Sequence, residues 1–99
     1  MFIIEIPKIS YCESDGSYTV IHFDDGKQIL VSKNLKEYDD MLSDQGFYRI
    51  HKSYLINLSF VERFEKGEGG FVVLKNEVKI PVASRKREQL MELFDHLDT

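Results

Sequence analysis

Turn-forming residues interrupt this chain so often that most of the segments between them have room only for a short strand. Asp15-Gly16-Ser17, Asp24-Asp25-Gly26, Lys66-Gly67-Glu68-Gly69-Gly70 and Lys75-Asn76-Glu77 are the clearest breaks. Asp and Gly tolerate positive φ, so Asp24-Asp25-Gly26 is a strong hairpin signal. The intervening runs are rich in Val, Ile, Tyr and Phe, which suit a pleated, half-buried surface. Strands are predicted over Phe2–Ile6 (broken by Pro7), Ile9–Glu13, Tyr18–Phe23 and Lys27–Ser32. Further extended segments are Phe47–Ile50, Tyr54–Asn57, Phe60–Phe64, Phe71–Leu74 and Val78–Ile80, with His51-Lys52-Ser53 interrupting the first two.

Two stretches read differently. Asn34-Leu35-Lys36-Glu37 has the form of a capping box, in which Asn34 accepts from the first free amides and Glu37 reaches back. Leu35, Tyr38, Met41 and Leu42 then make one helical stripe, closed by Gln45-Gly46. A second helix is predicted from about Ser84, its cap, to Leu97, with Leu90, Leu93, Phe94 and Leu97 on one face. The expected fold class is therefore mainly β, with one internal and one C-terminal helix.

Ninety-nine residues make one domain, 1–99, able to hide roughly two-thirds of its unfolded surface without metal or disulfide staples. Cys12 is the sole cysteine, which rules out an internal disulfide framework and points to a reduced thiol in a β core. No apolar run approaches the ~20 residues that span a bilayer. Met1–Ile6 is too short for a signal peptide and carries Glu5, so the expected location is the cytoplasm, and the Asn57-Leu58-Ser59 sequon is accidental. Enzyme chemistry finds no support. His22, His51 and His96 lack metal-ligand spacing, Asp24-Asp25 reads as a turn, and Gly67-Glu68-Gly69-Gly70 lacks the Lys-Ser/Thr of a phosphate loop. No metal or cofactor is expected.

The net charge is −4, but it is unevenly spread. Residues 1–44 carry four Lys/Arg against nine Asp/Glu, residues 45–87 nine against four, and residues 88–99 none against four. A basic middle flanked by acidic ends suits a chain that turns one face to an anionic partner, since distribution matters more than the total.

Within that basic segment stands Phe47-Tyr48-Arg49-Ile50-His51-Lys52-Ser53-Tyr54-Leu55-Ile56-Asn57. It resembles the central signature of the LytTR DNA-binding domain family. Three other segments match in order: Ile9–Glu13 with the following turn and Tyr18, Asn34-Leu35-Lys36-Glu37, and Ile80-Pro81-Val82-Ala83-Ser84-Arg85. The resemblance covers nearly the whole chain. It implies an elongated β–β–β sandwich of short, mostly antiparallel strands. It also implies the output domain of a two-component response regulator, inserting loops into successive major grooves and working as a homodimer on promoter direct repeats. The competing expectation, motivated by the net charge and by Glu92, Asp95 and Asp98, is a protein-interaction β module without nucleic-acid binding.

The family match places Lys52 at a base-contacting position, where an ammonium reaches a phosphate or guanine O6/N7. Arg85 opens the last helix, and its planar fork suits bidentate guanine recognition. Lys86 and Arg87 add cations that oppose the helix dipole, a structural mismatch that argues for a function. Tyr18 aligns with a loop that contacts the adjoining groove, with Ser17 and Lys27 as weaker neighbours. Arg49 and His51 share a strand face opposite Ile50; His51 is expected either to fix the Lys52 loop by a hydrogen bond or to touch a phosphate. Ser53 either donates to a phosphate or closes the turn. Asn57 is expected to bond backbone at a strand end.

Overall fold

The computed structural model describes residues 3–97, with the side chains of 68, 96 and 97 excepted. A 3-10 turn at Ile6–Lys8 precedes β1 (Ile9–Asp15), β2 (Tyr18–Phe23), β3 (Gln28–Val31), α1 (Leu35–Leu42), β4 (Phe47–His51) and β5 (Tyr54–Asn57). After a second turn at Leu58–Phe60 come β6 (Val61–Glu65), β7 (Phe71–Leu74), β8 (Lys79–Pro81) and α2 (Ser84–Leu97). The expected mainly β architecture with two helices is present, its strands divided between two sheets. One has the order β3-β2-β1-β5-β4, the other β6-β7-β8, and every pairing is antiparallel. The molecule is elongated, 40 × 25 × 24 Å.

The five-stranded sheet is covered on both faces, which is why Ile9, Ser10, Tyr11 and Cys12 are all buried. One face packs against α1: Ile9, Cys12, Ile21, Phe47 and Leu55 meet Leu35, Tyr38 and Leu42. The other face sends Tyr11, Ile50 and Ile56 against Val72, Leu74 and Ile80 of the second sheet and Leu90 of α2. Strict alternation would set Ile9 beside Tyr11; a register shift between them puts Ile9 with Cys12 instead. Leu90 is fully buried, a burial that contributes about 1.5–3 kcal/mol and seats α2. Burial also pushes the Cys12 thiol up to about 12, so at neutral pH it stays protonated and unreactive.

Five local expectations need correcting. No strand forms over Ile3–Ile6. Pro7, which lacks an N–H, sits inside the 3-10 turn, where Lys8 N–H donates to Glu5 C=O at 3.0 Å; Phe2 lies outside the described residues. Phe60 belongs to a turn, because Asn57 Oδ1 captures the Ser59 N–H and bends the chain before β6. Ser84 is the first helical residue of α2 and not its cap; Lys86 N–H donates to Ala83 C=O at 2.8 Å. Met41 is 49% exposed, since the α1 stripe in contact with the sheet is only Leu35, Tyr38 and Leu42. The α1 cap is half of a box: Asn34 Oδ1 accepts from Glu37 N–H at 3.0 Å, and no return bond from the Glu37 carboxylate forms. Gly46, with φ at +86°, supplies the left-handed residue that ends the helical segment.

Candidate nucleic-acid interface

Antiparallel pairing gathers distant turns at one end of the five-stranded sheet. Asp15 pairs with Tyr18 across a two-residue turn, in which Gly16 takes a φ of +62°. Glu13 pairs with Tyr54, and Ser14 N–H donates to Ser53 C=O at 2.9 Å, so the β4–β5 turn lies beside the β1–β2 turn. Thr19 pairs with Val31, and its Oγ1 donates to Lys33 C=O at 2.8 Å, which brings the β3–α1 segment to the same end. The start of α2 joins them: Ala83 N–H donates to Ile50 C=O at 2.8 Å, one residue before His51.

The Lys52 turn is held from inside. Arg49 Nη2 donates to Lys52 C=O at 2.6 Å, across a register shift centred on Ile50. The His51 Nδ1 accepts from Ser53 N–H at 3.1 Å. With its backbone pinned at both points, the turn presents the exposed Lys52 side chain outward. Behind it, the His51 ring lies 5.6 Å from Tyr54, whose hydroxyl donates to Glu13 Oε2 at 3.5 Å. The other Glu13 oxygen meets His22 Nε2 at 3.0 Å, and Tyr11 stacks on that imidazole at 4.1 Å. Burial first, then the Glu13 carboxylate, raises the Tyr54 phenol above its usual value, so it remains a donor at neutral pH.

Between this turn and α2 lies a depression of about 290 Å³ lined by Arg49, His51, Lys52, Arg85, Lys86, Ala83 and Asp39. Five of the eight residues expected at the site therefore converge on one concave surface, from segments more than thirty positions apart in the chain. Arg85 is exposed in the first turn of α2. Lys86 is half-buried, its Nζ 5.5 Å from the centre of the Tyr48 ring in a cation–π contact; the Tyr48 hydroxyl in turn donates to Gln89 Oε1 at 2.9 Å.

The other expected residues are placed differently. Arg87 does not line the depression. About 200° around the helix from Arg85, it runs along the Gly69-Gly70 turn, where a Cβ on either glycine would stand 3.6 Å from its guanidinium. Ser53 is half-buried, its N–H given to His51 and its C=O to Ser14. Tyr18 is 48% exposed at the β1–β2 turn, beside the depression but outside it, and Ser17 is exposed in the same turn. Lys27 was expected near Tyr18, yet it sits at the far end of the hairpin, 4.0 Å from Asp25. Asn57 does bond backbone at its strand end, through Ile9 C=O at 2.9 Å.

Two residues went unnoticed in the sequence. Lys33 is exposed at the cationic end, and Asp39 lines the depression. Lys33 shows no motif; only the pairing of β2 with β3 carries it there.

The family model of the LytTr DNA-binding domain matches residues 1–95. The chain belongs to the LytTR DNA-binding domain family. Among curated relatives, the sensory transduction protein LytT of Oceanobacillus iheyensis is 34% identical over 98% of this chain and 40% of its own length. The CO-responsive transcriptional regulator RcoM of Rhodospirillum rubrum is 32% identical over 72% of this chain and 30% of its own. This LytTR chain thus spans less than half the length of either relative. A solved LytTr DNA-binding domain from a Bacillus cereus methyl-accepting/DNA response regulator superposes with a TM-score of 0.81 at 17% identity. That superposition covers 92% of this chain and 84% of the solved one, and it shows the same fold.

Proposed function

We propose that this LytTR domain is the cytoplasmic output domain of a two-component response regulator, reading promoter direct repeats as part of a homodimer. Lys52 and Arg85 enter the major groove and contact base edges, while Arg49 and His51 position the Lys52 turn and Lys86 neutralises a phosphate. Tyr18 and Ser53 contact the sugar–phosphate backbone next to them. Arg87, turned toward the Gly69-Gly70 turn, contributes only where DNA wraps toward the second sheet.

One observation carries this reading: four cations from β4, its following turn and α2 line a single depression, which a tie between Ala83 and Ile50 holds together. Family membership supports DNA binding, and the convergence of these cations supports locating the contact surface here. The long dimension of 40 Å is comparable with the ~34 Å between successive major grooves on one side of a duplex. The protein-interaction alternative would gain if Lys52, Arg85, Lys86 and Arg87 pointed to different faces; three of them line the one depression, and Arg87 turns away toward Gly69-Gly70. Among the described residues, no helix is long and apolar enough to cross a membrane.

Selection of bound duplexes from a random pool tests the proposal. The wild-type domain is expected to enrich a repeated motif. Arg85→Ala and Lys52→Ala are each expected to relax one base pair of it, at a cost of about 1–3 kcal/mol. Unchanged motifs in both variants place the reading surface elsewhere.

A further inference from the structure

A carboxylate weakens the attraction of a cationic surface for a polyanion, yet Asp39 lines the same depression as Arg49, Lys52, Arg85 and Lys86. Its position follows from α1. Leu35, Tyr38 and Leu42 are buried against the sheet and fix the helix. Asp39 follows Tyr38 by one step, so it flanks the buried stripe and is half-buried. Its neighbour Asp40 is a further 100° round; it is exposed and paired with Lys36 at 3.2 Å. Asp39 enters no ion pair or side-chain hydrogen bond among the described residues, although four cations share its depression. Its carboxylate therefore remains free to accept from a ligand.

We infer that Asp39 is a specificity-determining residue of the DNA-reading surface, selecting adenine or cytosine, whose exocyclic amines face the major groove, over guanine or thymine at one position of one strand. The chemistry is two-sided. A carboxylate accepts a hydrogen bond from cytosine N4 or adenine N6 at the floor of the major groove. The same group repels a phosphate that enters the cationic depression in any other register. Lys and Arg alone would hold every duplex; one carboxylate among them penalises the registers that offer only phosphate. This inference rests on the proposed placement of the interface.

The test compares the wild-type domain with Asp39→Asn, Asp40→Asn and Arg85→Ala. Affinity is measured for the duplex that the wild type selects and for a scrambled duplex of equal length, and the selection is repeated with each variant. Both Asp variants change net charge equally, and each replaces a carboxylate by an amide of the same shape. Asp39→Asn is expected to tighten scrambled-duplex binding, lower the specific-to-scrambled ratio by roughly tenfold and lose the amine preference at one position. Asp40→Asn is expected to leave the ratio and the motif unchanged. Equal ratios in the two Asp variants, with Arg85→Ala still relaxing the motif, overturn the role of Asp39 and leave the interface standing. Should Arg85→Ala and Asp39→Asn both leave motif and affinity unchanged, the interface lies elsewhere and the inference falls with it.

Discussion

Asn57 uses both ends of its side-chain amide. Nδ2 donates to Ile9 C=O at 2.9 Å, and Oδ1 accepts from the Ser59 N–H at 3.0 Å and its hydroxyl at 2.8 Å. It thereby ties the end of β5 to the start of β1 from a buried position. Asn57→Ala is expected to destabilise the domain by about 1–3 kcal/mol in urea unfolding, because buried polar groups lose their partners. The folded fraction should bind DNA with unchanged affinity. Some of this residue-scale detail was legible beforehand: an Asn at a strand end bonds backbone by habit, and a histidine beside a tight turn commonly braces it. The Arg49 bond to Lys52 C=O was not legible, since it depends on a register shift at Ile50 that alternation of side chains cannot announce. Asp39 escaped notice for a similar reason. In the sequence it is one acid within a polar helix, and only the packing of Tyr38 decides which way it faces.

At the level of elements, α1 rests on a single cap bond and three buried side chains. Asn34→Ala removes the acceptor for Glu37 N–H and is expected to cost about 0.5–2 kcal/mol in thermal or urea unfolding, with helix content reduced first. The strands were readable because turn residues bracket them and β-branched or aromatic side chains fill them. Errors gathered at element edges, where a few hydrogen bonds decide between strand and turn. Pro7 and Asn57 each produced a 3-10 turn in place of the extended backbone expected at Ile6 and Phe60. Met41 fitted the helical period, but the helix is too short and its contact stripe too narrow to bury it.

For the whole molecule, a segment-wide charge count overstates how much unpaired positive charge residues 45–87 carry. Arg63 is tied to Glu62, Glu65 and Glu77, and Lys79 to Glu65, on the second sheet. Those cations are already partnered, and Arg63, followed by Lys79, holds the Glu65 carboxyl below its usual value. Lys33, from the acidic first segment, lies instead at the cationic end through the register of β2 with β3. Binding is expected to weaken steeply with salt. In a titration across salt concentrations, Lys33→Ala should lower the slope of log affinity against log salt by about one, while the selected motif stays the same. Strand order, which could not be read from one sequence, is what creates this surface: β1 lies between β2 and β5, and every loop at its end follows from that. The bond from Ala83 to Ile50 has a thermodynamic consequence of its own. It joins the base of the Lys52 turn to the first residues of α2, so the two halves of the proposed reading head are assembled when the chain folds. The entropy of bringing them together is lost then, and little of the affinity for DNA need be consumed in ordering the protein.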